Sequence, residues 1–188
     1  MKKKLNISIL VFCLVLLNAC TGAKKSAVSF SDKEITWLNF EQVAEINKKN
    51  PRKVIVEVYT DWCGWCKKMD KTTFQHPEII KYINQNYYAV KFNGEIKETV
   101  TLKDKKYKFV EVPDKRGYNE LAYEFLDGKM NYPSLVFLDE KLDRIQTIAG
   151  FQKAPTLDVI LNYFASNSHQ KTPWKAYEAS FQSKIVEE

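Results

Sequence analysis

The sequence predicts an α/β sandwich around a mixed central sheet. Three observations carry this. The run from Lys53 to Tyr59 (KVIVEVY) is β-branched and almost wholly apolar, as a central strand covered on both faces requires. Segments of helical periodicity alternate with strand-like runs on either side of it. The main body then closes with two adjacent strand candidates and a helix that starts at Pro155. With 188 residues and 45% hydrophobic content, the chain is sized for one domain with a sizeable core plus short appendages.

The N-terminus stands apart from that body. Lys2, Lys3 and Lys4 precede a mostly apolar run from Leu5 to Leu17. The run is shorter than the roughly 18 residues a membrane span needs, and reads as a secretory signal. Its end, Leu17-Asn18-Ala19-Cys20, resembles a bacterial lipoprotein signal, with Asn18 a departure from the usual residue. That resemblance implies cleavage after Ala19, lipid on Cys20 and a membrane-anchored protein of the cell envelope facing the periplasm. An ordinary signal peptide or an uncleaved anchor is the alternative. The expected division is a signal peptide over 1–19, a lipidated tether over 20–33, a globular domain over 34–167 and a helical extension over 168–188. The tether (TGAKKSAVSFSDK after Cys20) is small, polar and Lys/Ser-containing.

Removing residues 1–19 takes away three lysines and no acid, so the formal charge falls from +6 to +3. Nothing concentrates that charge into a stripe, and no nucleic-acid partner is expected. Of the four cysteines, Cys13 leaves with the leader and Cys20 carries lipid. Cys63 and Cys66 remain. An exported chain with a single close cysteine pair is not a disulfide-stapled scaffold, which points to the pair's chemistry.

The elements follow in order. Ile35–Leu38 is a short strand candidate, and Asn39 caps a helix from Phe40 to about Lys49 with Val43, Ala44 and Ile46 inward, closed by Asn50-Pro51. The strand 53–59 leads into Cys63-Gly64-Trp65-Cys66, which opens a helix to about Asp70. Pro77 fits the first turn of a helix with Ile79, Ile80 and Ile83 on one face. Tyr87–Phe92 is a strand. Thr99–Leu102 and Tyr107–Val112 flank Lys103-Asp104-Lys105-Lys106 as an extra hairpin. Tyr118–Leu126 reads as a helix closed by Gly128. Ser134–Leu138 and Arg144–Ile148 are strands joined through Asp139–Asp143, and the helix from Pro155 carries Leu157, Ile160, Leu161 and Phe164. Trp174, Tyr177, Phe181 and Ile185 recur at helical spacing in the tail.

Cys-x-x-Cys suits zinc as well as redox work. Zinc asks for about four ligands, and His76 and His169 lie without metal-ligand spacing, so no metal is expected. A structural disulfide across so small a loop would restrict the unfolded chain little. Position favours redox chemistry, because the pair sits where a buried strand meets a helix N-terminus. Unpaired backbone N–H groups and the helix dipole there favour an anion, which stabilises a Cys63 thiolate. Cys63 would attack a substrate disulfide, and Cys66, a helical turn on, would resolve the mixed disulfide.

Tyr59-Thr60-Asp61-Trp62-Cys63-Gly64-Trp65-Cys66-Lys67-Lys68 resembles the active site of the thioredoxin superfamily, in the style of bacterial exported members with a DWCxxCK core. The resemblance runs from about Ile35 to about Ala165. It implies a thioredoxin-like three-layer sandwich with a mixed central sheet, here with an extra hairpin insertion and a C-terminal helix. It also implies roles. Pro133, after Tyr132, matches the family cis-proline that leaves the preceding backbone free to pair with substrate. Glu57, the one charged residue in its strand, matches the family's buried acid; burial would raise its pKa and let it take a proton from Cys66. Lys91 matches the lysine paired with that acid. Trp62 matches the tryptophan that shields the disulfide, and Gly150 a glycine that admits a partner chain.

Two departures stand out. Gly64-Trp65 replaces the Gly-Pro of thioredoxin itself, and the dipeptide is one lever on redox potential. Residues 93–120 exceed a minimal thioredoxin, as a Lys-rich solvated ornament or a partner-docking edge. The reading is a thiol–disulfide oxidoreductase without cofactor, reductase or isomerase. It would act on disulfide-containing exported proteins and be supplied by a membrane thiol relay. A non-catalytic binding module of the same fold, or a structural zinc or disulfide module, is the alternative.

Overall fold

The computed structural model describes residues 29–31 and 33–185. The expected signal, its cleavage point and Cys20 lie outside the described residues.

Five strands form the central sheet in the order β1-β3-β2-β8-β9: β1 is Trp37–Leu38, β2 Lys53–Tyr59, β3 Tyr87–Asn93, β8 Ser134–Leu138 and β9 Arg144–Ala149. β2 is central, parallel to β3 and antiparallel to β8, so the sheet is mixed. β1 runs parallel to β3, and β9 antiparallel to β8. Six of the seven β2 residues are buried, because helices cover both faces.

Side-chain alternation along the strands divides the core into two layers. Val54, Val56 and Val58 meet Phe40 and Val43 of α1 (Phe40–Asn47) and Leu121 and Phe125 of α4 (Glu120–Phe125). Ile55, Ala89, Leu135 and Phe137 face the other way. There they meet Met69 of α2 (Gly64–Lys71), the isoleucines of α3 (Pro77–Asn86) and Leu157 and Leu161 of α5 (Ala154–Ala165). The result is the expected three-layer α/β sandwich. Asn39 caps α1 with a reciprocal capping box through Gln42. α1 ends at Asn47, and Phe40, Val43 and Asn47 are its buried residues, whereas Ala44 and Ile46 are only partly covered.

Four differences from the sequence reading have physical causes. The tether expected to reach residue 33 is already docked at Phe30, whose ring stacks on Tyr88 at 6.1 Å while Arg52 lies over it. The expected hairpin is tighter. β4 (Val100–Leu102) pairs with β5 (Lys105–Tyr107) through Lys103-Asp104 alone, both with positive φ, the backbone a two-residue hairpin turn demands. β6 (Phe109–Val110) then pairs with β7 (Tyr118–Asn119), so the helix expected from Tyr118 starts at Glu120, capped by Asn119. In the tail, α6 (Trp174–Ser180) stops before Phe181, which is extended. Ile185 still reaches the core, at 7% exposure, but in a non-helical segment held by Ser183, whose hydroxyl donates to Asp158 and accepts the Ile185 N–H.

Candidate active site

β2 ends at Tyr59, and the chain turns through Thr60-Asp61-Trp62 before α2 begins at Gly64. The Cys63 N–H donates to the Thr60 carbonyl at 3.1 Å, which places Cys63 at the N-cap of α2. Its Sγ accepts the Cys66 N–H at 3.0 Å. A sulfur thus occupies the position where helices ordinarily place a Ser, Thr or Asp oxygen. In the reduced protein that N–H and the dipole of α2 favour the charged form of Cys63. The two cysteines are joined by a disulfide, with Cα atoms 5.3 Å apart, and both are buried. Cys66 and Met69 are the buried residues of α2, while Gly64, Trp65, Lys67 and Lys68 face solvent.

Beneath α2 lies a charged group inside an apolar layer. Glu57 shares the face of Ile55, is fully buried, and stands in register with Lys91 on β3 and Leu135 on β8. Neither carboxylate oxygen has a hydrogen-bond partner; Lys91 Nζ is 3.4 Å from Oε2, an ion-pair contact not aligned for a hydrogen bond. Burial pushes the Glu57 carboxyl up from 4.5 to about 7, against the attraction of Lys91 and with help from the negative charge of Asp70. Lys91 also bonds to Asp70 of α2. Burial opposes the lysine's charge, but the two acids outweigh it and hold its pKa above the usual value. Thr60 Oγ1, also buried, has no partner among the described residues. Cys66 and Asp70 are four residues apart on α2 and share a helix face. The chain Asp70–Lys91–Glu57 therefore runs from the half-exposed flank of α2 to the buried acid beneath it.

The rim above the disulfide is aromatic. Among the described residues, Trp62 and Trp65 are two of the few large apolar side chains left exposed, at 48% and 58%. Trp62 meets Tyr132 edge-on at 5.8 Å, and Trp65 leans on Phe151 at 5.5 Å. The Tyr132–Pro133 peptide bond is cis, and Pro133 is buried. The Pro133 carbonyl accepts the Gly150 N–H at 2.8 Å, which ties the two loops bearing Tyr132 and Phe151 together. Gly150 has φ +93°, a backbone that side chains with a Cβ adopt only under strain.

The structure thus gathers every candidate within the described residues around one end of β2. Glu57 and Lys91 lie below the pair. Trp62, Gly64 and Trp65 surround it in sequence, and Tyr132, Pro133 and Gly150 come from the β8–β9 side. Sequence reasoning did not single out Asp70, Phe151, Glu95 or Arg116. Asp70 carried a signal in its spacing, four residues after Cys66. Phe151 carried one in its adjacency to Gly150. Glu95 and Arg116 carried none, because the path of residues 93–120 brings them to the rim. Among the described residues, no group of three or more His, Cys, Asp or Glu side chains is placed to hold a metal ion.

Comparison with known proteins gives a consistent result. A family profile described as a thioredoxin-like domain matches residues 40–165. A protein disulfide-isomerase of Schizosaccharomyces pombe is 35% identical over 78 residues, 40% of this chain and 21% of its own length. The thiol:disulfide interchange protein DsbD of Campylobacter jejuni is 30% identical over 101 residues, 48% of this chain and 18% of its own. The chain spans about a fifth of the length of these curated relatives. Among solved structures, a thioredoxin from Thermus thermophilus superposes with a TM-score of 0.53 at 14% identity, covering 74% of this chain and 98% of its own, a likeness of fold.

Proposed function

The chain belongs to the thioredoxin-like domain family, and from that premise we propose that it is a protein thiol–disulfide oxidoreductase working through Cys63 and Cys66. The observation that carries this reading is the Cys63 sulfur at the N-cap of α2, accepting the Cys66 N–H, with a buried acid beneath the same helix whose oxygens make no hydrogen bond and whose only cation contact among the described residues is Lys91.

The steps balance as two-electron exchange. In the dithiol form the Cys63 thiolate attacks one sulfur of a substrate disulfide, joins it, and expels the other as a thiolate. Cys66 then loses its proton and attacks the Cys63 sulfur. The mixed disulfide breaks, the second substrate thiolate leaves, and the Cys63–Cys66 disulfide remains. The two released thiolates take up protons, including the one lost by Cys66. Glu57, with its pKa near 7, is suited to receive that proton and pass it on, and Lys91 steadies its charged form. Trp62, Trp65, Gly64 and the backbone of Tyr132 beside Pro133 form the contact surface for an extended substrate, with Gly150 leaving room alongside.

The substrates are disulfide-containing exported proteins, and the reaction runs as reduction, with two electrons per turnover from a membrane thiol relay, or as redox-neutral isomerisation, for which the relay only keeps the Cys63–Cys66 pair reduced. The name of the Campylobacter relative and the Leu17–Cys20 segment motivate this setting. In it the protein is an envelope lipoprotein held at the membrane by lipid on Cys20, facing the periplasm. Dithiothreitol-driven reduction of insulin tests the activity. Clear acceleration over a Cys63→Ser control is expected, and equal rates would favour a binding module. Labelled palmitate tests the anchor, since label surviving Cys20→Ser would rule it out.

A further inference from the structure

Residues 94–119 separate β3 from α4, and both ends of this insertion are fastened at the end of β2, four residues before Cys63. The Gly94 N–H donates to the Tyr59 carbonyl at the end of β2, and the Gly94 carbonyl accepts the Asn119 N–H, each at 2.8 Å. A Cβ on Gly94 would stand 2.6 Å from the Tyr132 hydroxyl, so the root of the insertion packs directly on the residue before Pro133. Two of its side chains then reach Trp62. Glu95 Oε1 accepts the indole N–H at 2.9 Å, and the Arg116 guanidinium lies over the ring at 4.9 Å.

The charges on this rim are not balanced in what they offer a ligand. Glu95 is engaged on both oxygens, by Trp62 and, at 3.7 Å, by Arg116. Asp61 accepts from Asn93 at 3.2 Å. The cations are held mainly by ring faces. Arg116 is ion-paired to Glu95 through Nη1 at 3.7 Å, too long for a hydrogen bond, and is 65% exposed, which leaves its solvent-facing N–H donors available. The Lys68 ammonium lies over Trp65 at 4.9 Å and over Phe151 at 5.4 Å, with no carboxylate partner among the described residues. Each of the two indoles next to the cysteines therefore carries a cation with free donors.

We propose that the insertion is the specificity wall of the site: Arg116, together with Lys68 on the other indole, selects polypeptide segments carrying an acidic side chain beside their disulfide cysteine. This deepens the thiol–disulfide exchange reading and rests on it. The carboxylate would take the solvent-facing donors of Arg116 while the segment lies against the aromatic rim. Because the contact is exposed, its effect is a modest preference that salt weakens.

The test uses disulfide-bonded peptides identical except for Glu, Gln or Lys next to the cysteine. Reduction by the protein is measured beside binding to its Cys63→Ser variant, followed by tryptophan fluorescence. The Glu peptide should be favoured over the Lys peptide about threefold to fivefold at low salt, the ratio falling towards one at about 500 mM salt. Arg116→Glu should bring the ratio to one or below, Arg116→Lys should keep most of it, and Lys68→Glu should lower it separately. A wild-type ratio of one, or a ratio unchanged in Arg116→Glu, would overturn the proposal. Turnover of all three peptides without charge preference would do so while leaving the exchange reading standing. Charge-dependent binding abolished by Arg116→Glu, with no turnover of any peptide, would support the wall and overturn the exchange reading.

Discussion

Replacing Glu57 with Gln should change how stability depends on pH. In the unfolded chain this carboxyl ionises near 4.5; in the folded protein burial delays ionisation to about 7. Between those values the folded state holds more protons than the unfolded one. The stability Glu57 contributes is therefore fully present below pH 4.5 and is lost as pH rises through 7. At about 1.4 kcal/mol per pH unit, moving from 4.5 to about 7 corresponds to about 3 kcal/mol. Gln has the same shape and no charge, so it removes this dependence and leaves Lys91 with Asp70. The assay is urea unfolding of the oxidised protein, wild type and Glu57→Gln, in steps from about pH 4 to about pH 8. The difference between the two should move by about 3 kcal/mol across the window, Gln becoming relatively more stable at the alkaline end. A flat difference curve would mean that Glu57 ionises as it does in water, and the proton-acceptor role assigned to it would fall.

Other expectations are narrower. Asp70→Asn removes a negative charge that helps keep Glu57 protonated and leaves Lys91 to Glu57 alone. The Glu57 carboxyl should then titrate below 7, as NMR of its side chain would register, and no change would disprove the coupling. Gly150→Ala meets no atom within 4 Å but must keep φ near +93°, so it should destabilise by about 1–2 kcal/mol in urea unfolding. Gly64→Ala, equally open and in the first turn of α2, should be neutral or stabilise by up to about 1 kcal/mol. Ile185→Ala should lower stability by about 2 kcal/mol, since its side chain closes the α3–α5 layer; a loss within experimental error would mean the tail is not docked in solution.

The parts of the fold legible in the sequence were those where local pattern and tertiary demand agree. Lys53–Tyr59 could only be a doubly covered strand, and Asn39, Pro77 and Pro155 marked helix starts that packing had no reason to move. Legibility failed where long-range contacts override local spacing. Trp174, Tyr177, Phe181 and Ile185 have helical periodicity, yet a seven-residue helix with no buried side chain gains little from propensity. The pull of Ile185 into the core and the Ser183–Asp158 bond decide the tail instead. In the insertion, Lys105 and Lys106 sit on an exposed strand and give no alternating signal, so the true turn at Lys103-Asp104 was obscured. The same holds at the site. The cysteine pair and Glu57 stand out along the chain, and Asp70 shows there only as a position four residues after Cys66, whereas Glu95 and Arg116 acquire meaning only once the insertion returns beside α2.

The proposed chemistry requires Cys63 to form a covalent bond to a substrate sulfur that Cys66 then releases. Reacting the Cys66→Ser protein with a disulfide-bonded peptide and weighing the product by mass spectrometry tests this most directly. A stable adduct of one peptide half on Cys63 is predicted, formed by Cys66→Ser and not by Cys63→Ser. No adduct, or equal labelling of Cys66 in the Cys63→Ser protein, would contradict the assignment of attacking and resolving sulfurs.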